Sequence, residues 1–240
     1  MGAGTAVVTG ASRGIGLAIA RRLLADGFAV VTVQRSAPRE GLGLAHIGLD
    51  LGDPETVFSR MDAFAADNEV SVLVNNAGVS SVAAIDALDV SGFAAISAIN
   101  LGSVIAMARA LAPSMKVRGN GRIINTASRA ALGKEGRSFY AATKAGIAGL
   151  TRTWALELAG HGIAVNSISP GPTVTELFDQ TNPIGSPARV AIERSVPMGR
   201  LATPDDIAAV ASFLAGPDAS FVTGQTIHVC GGTTMGAASR

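Results

Sequence analysis

Tyr140 is the only tyrosine in a chain of 240 residues, and it stands four positions before Lys144 in Ser138-Phe-Tyr-Ala-Ala-Thr-Lys-Ala-Gly146. On a helix these two side chains share a face, with Cβ atoms about 5–6 Å apart. A cation there favours phenolate over phenol: at about 4 Å and an effective dielectric of about 20, the Coulomb energy is about 4 kcal/mol. That is enough to lower a phenol pKa from about 10 by up to about three units. A phenol tuned in this way exchanges a proton with an alcohol or a carbonyl. An ordinary surface Tyr/Lys pair is the competing account, and only further motifs separate the two.

A phosphate-binding device lies near the N-terminus, in Thr9-Gly-Ala-Ser-Arg-Gly-Ile-Gly16. Glycines at 10, 14 and 16 let the backbone turn tightly and approach a pyrophosphate, which free N–H groups and a helix dipole then hold. The spacing is GxxxGxG rather than the commoner GxGxxG. Gly10, Ser12, Arg13, Gly14, Ile15 and Gly16 are therefore candidate cofactor residues. Further on, Val33-Gln-Arg-Ser36 has no acid where one would accept hydrogen bonds from the ribose of NAD. Arg35 and Ser36 stand there instead, and Arg13 adds a second guanidinium. Arginines pair well with a 2′-phosphate, so NADP(H) is the expected cofactor, with NAD(H) left open.

Short β-branched runs at Thr5–Thr9, Ala29–Gln34, His46–Asp50, Val72–Asn75, Arg122–Asn125, Ala164–Ile168 and Gln225–Val229 read as strands. Helical patterns lie between them at Gly14–Asp26, Pro54–Asp67, Phe93–Met115, Phe139–Leu158 and Pro204–Ala215. Near-continuous apolar strands joined by helices imply a parallel sheet covered on both faces. The expected fold class is α/β: a single doubly wound Rossmann domain over residues 1–240, with about seven parallel strands.

Composition agrees with that reading. Hydrophobic residues make up 48% of the chain, and the net charge is only +1, with no long basic run, so neither nucleic acid nor an anionic membrane is an expected partner. The single cysteine, Cys230, excludes an intramolecular disulfide, and no Cys/His cluster suggests a metal. The apolar run from Phe93 to Ala112 is interrupted by Asn100 and Arg109, which suits a buried helix better than a membrane span. Ala6-Val7-Val8 begins too early to leave room for a cleaved leader, and a cytoplasmic protein is expected.

At this point the chain resembles the short-chain dehydrogenase/reductase family, in particular its 3-oxoacyl-carrier-protein-reductase-like members. Besides the glycine turn and Tyr140-x-x-x-Lys144 it carries Asn75-Asn-Ala-Gly78, Ile99-Asn-Leu-Gly102, Asn125-Thr-Ala-Ser128 and Pro170-Gly171. Val222-Thr-Gly-Gln225 and Gly231-Gly232 complete the series. The resemblance implies a catalytic tetrad of Asn100, Ser128, Tyr140 and Lys144. Tyr140 would donate a proton in reduction and accept one in oxidation. Lys144 would lower its pKa and hold the nicotinamide ribose, Ser128 would stabilise the substrate oxygen, and Asn100 would hold a relay water. Asp50 and Leu51 would meet the adenine, while Asn76, Ala77 and Gly78 would line the adenosine cleft. Pro170, Gly171, Thr173 and Thr175 would flank the nicotinamide, although Thr175 also reads as a plain helix N-cap.

The implied activity is hydride exchange with a ketone or secondary alcohol, in a homotetramer. The 170–200 region would form a lid, with Leu177, Phe178, Ile184, Met198 and Phe139 as apolar lining. Lys134 and Arg137 could meet an acidic substrate or carrier protein, although a solvated loop is the commoner account. Two departures stand out: the Ser128–Tyr140 interval is one residue shorter than in many members, and Cys230 replaces a usual Asp. His46, His161 and His228 read as structural, and Trp154 as core or subunit interface. Rival readings are an NAD-dependent alcohol dehydrogenase working oxidatively and, further off, a non-catalytic dinucleotide sensor. An extended-branch epimerase would need a further domain of roughly 100 residues.

Overall fold

The computed structural model describes residues 4–38 and 44–235. Seven strands form one parallel sheet: β1 (Thr5–Thr9), β2 (Ala29–Gln34), β3 (Ala45–Gly48), β4 (Val70–Asn75), β5 (Gly121–Thr126), β6 (Ile163–Pro170) and β7 (Thr226–Val229). Their spatial order is β3-β2-β1-β4-β5-β6-β7, with every neighbouring pair parallel. The order reverses between β1 and β4, and the crevice at their carboxyl ends is where such sheets bind ligands. The sequence-derived strands all exist. β3 begins and ends earlier than expected, because Leu49 and Asp50 already turn toward α2.

Among the described residues, eight α-helices accompany the sheet: α1 (Gly14–Ala25), α2 (Pro54–Asp67), α3 (Gly92–Ser97), α4 (Ser103–Arg118), α5 (Ser138–Leu158), α6 (Glu176–Thr181), α7 (Pro187–Arg194) and α8 (Pro204–Ala215). Alternation along the strands explains how both faces are covered. Val7, Leu73 and Ile123 point into a core with Met61, Met107 and Leu111 of α2 and α4. Their neighbours Ala6, Val8, Val72, Val74 and Ile124 point the other way, onto Ile19 and Leu23 of α1 and Ile207 and Leu214 of α8. Helix starts are chemically marked: Asp53 caps α2, and Thr203 with Asp206 forms a capping box at α8, each followed by proline at the first turn.

The expected continuous Phe93–Met115 helix is instead two helices joined by a π turn at Ala98–Gly102. Gly102 permits this crossing, since a Cβ there would lie 2.7 Å from Pro54 Cγ. Gly92–Arg118 is long and apolar enough by composition to cross a membrane (mean hydropathy 1.6). In the fold, α4 instead buries Met107, Leu111 and Met115 against the sheet and α2, and Val104 against Ala127 and Ile147.

Between β6 and α8 the chain makes an excursion containing α6 and α7. Its ends are tied together by Val174 N donating to Ala202 O at 2.8 Å and Ala202 N donating to Pro172 O at 2.9 Å. Arg189 clasps its interior, donating to Asp179 Oδ1 at 2.5 Å and to Glu193 Oε1 at 3.0 Å.

Candidate active site

The glycine turn is held open from below by side chains rather than by chance. Thr9 Oγ1 accepts from the N–H groups of Asn76 and Ala77, and Asn76 Nδ2 donates to the carbonyls of Thr9 and Gly10, all at 3.0–3.1 Å. Gly10 and Gly14 have φ of 67° and 57°, a region that favours glycine. A Cβ on Gly16 would lie 2.2 Å from Gly10 O and 2.4 Å from Asn76 Nδ2. No side chain caps α1, so its first N–H groups remain free for an anion.

A cleft of about 780 Å³ opens above this turn. Gly10, Ser12, Arg13, Gly14, Ile15 and Gly16 line one wall, Arg35, Ser36, Asp50 and Leu51 the second, and Asn76, Ala77 and Gly78 the floor. Arg35 is exposed. Arg13 differs from expectation: it pairs across the cleft with Glu176 of α6 at 3.4 Å, which leaves Arg35 the more open guanidinium. Asp50 accepts from Gly52 N at 2.9 Å, so it serves the turn as well as facing the cleft.

Ile15, Asn76, Gly78, Thr175 and Leu177 are shared with a second cavity of about 660 Å³, which makes the two contiguous. Ser128, Tyr140, Lys144, Pro170, Gly171 and Thr173 line this second half. Gly171 must be bare because a Cβ would lie 2.6 Å from Cys230 Cα. Thr173 Oγ1 donates to Gly171 O, and Thr175 accepts from Phe178 N at 3.2 Å as the N-cap of α6. The capping account of Thr175 thus holds, with the residue still on the cavity wall.

Tyr140 and Lys144 lie on α5 one turn apart, as their spacing requires, but the electrostatics differ from the sequence argument. The Lys144 ammonium is buried and turned onto Thr126 O at the end of β5, at 2.6 Å. Burial pushes its pKa down to about 8. Its Nζ lies 5.8 Å from the Tyr140 ring centroid, and it is not among the groups that lower the phenol's pKa. Burial instead raises that pKa, against the lowering effect of the Ser128 hydroxyl bonded to the phenol and of Arg137 nearby. Desolvation wins over attraction in this site. The phenol is therefore kept protonated at neutral pH, the form a proton donor needs.

Asn100 is fully buried in the π turn. Its amide clamps the Val79 backbone from both sides, accepting from Val79 N at 2.8 Å and donating to Val79 O at 2.9 Å. It also donates to Thr143 Oγ1 at 3.0 Å, and Thr143 donates to Tyr140 O at 2.9 Å. The side chain is thus committed to positioning β4's exit and α5. Gly78 fits between these groups: a Cβ there would lie 3.3 Å from both Asn100 Oδ1 and Lys144 Nζ.

The chain matches the family described as Enoyl-(Acyl carrier protein) reductase over residues 10–234. It is 37% identical to the short-chain reductase protein NovJ of Streptomyces niveus, covering 95% of this chain and 92% of that protein. It is 36% identical to the 3-oxoacyl-[acyl-carrier-protein] reductase FabG of Vibrio cholerae, over 96% and 97% of the two chains. The chain belongs to the short-chain dehydrogenase/reductase family. A solved relative, gluconate 5-dehydrogenase from Burkholderia cenocepacia in complex with NADP and tartrate, superposes with a TM-score of 0.91 at 33% identity, over 99% and 97% of the two chains. Like its relatives, the protein is an NAD(P)-dependent oxidoreductase.

Several site residues carried no sequence signal. Gln34 is buried at the end of β2 and accepts from Ala11 N at 3.1 Å, fixing the glycine turn to the neighbouring strand. His46 serves that pair, its Nδ1 lying 3.2 Å from Gln34 Nε2. Arg129 lines the substrate half, and its position directly after Ser128 was the available clue. Of the expected apolar lining, Leu177 and Phe178 face the cavity. Ile184 and Met198 are 84% and 72% exposed, and Phe139 stacks on Phe93 at 5.1 Å instead. Trp154 packs partly buried against the core. The shortened loop after Ser128 is a 3₁₀ turn over Arg129–Leu132, followed by Gly133 and Gly136 at positive φ.

Proposed function

We propose that the protein is an NADP(H)-dependent ketoreductase, exchanging a hydride between the nicotinamide and a ketone or secondary alcohol. The observation that carries this reading is one continuous crevice with a bare helix N-terminus at one end and Tyr140 and Ser128 together lining the other. The residues present fit the cofactor: close-packed glycines, free N–H groups and an exposed arginine with no acid beside it at the β2 end. Bound NADP(H) supplies the hydride. Tyr140 donates the proton to the carbonyl oxygen in reduction, while the Ser128 hydroxyl stabilises that oxygen's developing charge. Lys144 holds the ribose side of the cleft, and Asn100 fixes the backbone that positions Tyr140. The 170–200 excursion acts as the substrate lid, with Arg189 keeping it a unit.

Cofactor choice follows from Arg35, with Arg13 as a second partner once it leaves Glu176. A charge-assisted Arg–phosphate pair contributes about 1.5–3 kcal/mol, or about ten- to hundredfold in the cofactor constant. The native enzyme is expected to prefer NADPH over NADH by that order, and Arg35→Ser to erase most of the preference. Steady-state kinetics on a ketone and alcohol panel with both cofactors checks this; equal kinetics with NADH would favour the NAD-dependent reading.

The assembly we propose is a homotetramer with two kinds of two-fold interface. On α5, Ala142, Ala145, Gly149 and Leu156 form an exposed stripe of mostly small residues, on which a second copy's helix could pack closely. Elsewhere, Phe213 near the end of α8 and Phe221 between α8 and β7 are 44% and 102% exposed. Light scattering at micromolar concentration should give four chains, and Leu156→Glu should reduce the assembly; a monomeric native protein would exclude it.

A further inference from the structure

The substrate half of the crevice has a one-sided charge. Among the described residues, four cationic side chains line it (Arg129, Lys134, Arg137 and Lys144), and no Asp or Glu does. Lys144 is committed to Thr126 O. The other three come from the segment joining Ser128 to α5. Arg137 is held in place, its Nη1 donating to Ser80 Oγ at 2.6 Å and its backbone bridging Ala83. Among the described residues, none of the three has a carboxylate at ion-pair distance, and Glu135, the one acid in the segment, does not line the cavity. The cations also oppose each other: burial together with the charges of Arg129 and Arg137 lowers the pKa of Lys134. Like charges converging on a partly desolvated cavity are costly unless an anion joins them.

We propose that Arg129, Lys134 and Arg137 form a carboxylate subsite, and that the substrate is an oxo acid, a ketone whose short chain ends in a free carboxylate. The proposal rests on the ketoreductase reading above. With its carboxylate among the three cations, such a molecule can set its carbonyl oxygen between Ser128 and Tyr140, and the apolar side chains of Leu177 and Phe178 cover the chain between. In the reaction the carbonyl carbon gains a hydride and its oxygen gains the Tyr140 proton. NADPH becomes NADP⁺, and the carboxylate leaves unchanged as part of a hydroxy acid. A carrier-linked thioester also bears an anion, on the phosphate of its arm. That arm is long, so its phosphate would lie outside this cavity, whereas the trio lies in the same cavity as the reacting hydroxyls.

The test uses the native enzyme with NADPH on acetoacetate, levulinate, their methyl esters and a thioester of acetoacetate. At least one acid should exceed its own ester in kcat/KM by about tenfold, and added salt should narrow the gap. Lys134→Gln and Arg129→Gln should each lower the acid-to-ester ratio by about fivefold to tenfold, mainly through KM, and the double variant should bring it close to one. Circular dichroism and NADPH titration confirm that each variant is folded. A native ratio near one, a ratio unmoved by the substitutions, or a thioester that outruns both acids overturns the subsite while leaving the reductase standing. If no ketone in a wider panel consumes NADPH, the reductase reading falls as well, and the subsite with it.

Discussion

Tyr140→Phe is expected to abolish reduction, with kcat falling by about 10²–10⁴, the span attributed to a positioned general acid. NADPH should still bind, because the phenyl ring keeps its place on α5 and the cofactor cleft is formed mainly by the glycine turn and the ends of β2 and β4. What disappears is the proton that the carbonyl oxygen must receive as its carbon gains a hydride. Burial holds the phenol protonated, so the reductive rate should stay level through neutral pH. It should fall as pH rises through the phenol's raised pKa, whereas alcohol oxidation, which needs the phenolate, should rise over the same range. Ser128→Ala removes one donor to the developing charge and the hydroxyl that lowers the phenol's pKa, so a milder loss of about 10²–10³ is expected. Single-turnover kinetics with a fluorescence titration of NADPH separates chemistry from binding. Retention of more than about a tenth of native kcat in Tyr140→Phe would remove the phenol from the mechanism.

Lys144→Met should be nearly as damaging to turnover, and it carries a second, thermodynamic signature. Burial lowers the pKa of this ammonium from 10.5 to about 8. Between those values the unfolded chain holds a proton that the folded chain has released. Stability of the cofactor-free protein therefore rises with pH from about 8 toward 10.5, and below about 8 the full cost of burying the charge is present. At about 1.4 kcal/mol per unit, that cost is about 3.5 kcal/mol. Methionine fills the same space without a charge, so the variant should be the more stable at pH 7 and lack this rise. Urea unfolding of both proteins at pH 7.5 and 9.5 measures the difference directly. Parallel pH dependence in the two would mean that the lysine is hydrated in solution. A variant more stable than the native enzyme yet inactive would mark Lys144 as a residue kept for function at the expense of the fold.

The sequence by itself determined the architecture and the motif residues that the fold places along the crevice. Apolar runs such as Val7-Val8 and Leu73-Val74 are buried on both faces of a parallel sheet, so their order along the chain sets the alternation of strands and helices. Glycines 10, 14 and 16 and the Tyr140–Lys144 spacing are local features, legible because backbone freedom and the helical turn are local properties. Tertiary structure decided what those residues do to one another. The Coulomb argument for a lowered phenol pKa assumed that the nearest cation dominates, yet the strand end that receives Lys144 and the cavity that dehydrates Tyr140 belong to elements distant in sequence. The π turn at Ala98–Gly102 and the commitment of Asn100 to Val79 and Thr143 depend on α2 and α5 each packing against that turn. The sequence marked Lys134 and Arg137 only as able to meet an acid; that they line one cavity together with Arg129 is set by the folded segment. Charge and desolvation act through space, and only the folded chain fixes those distances.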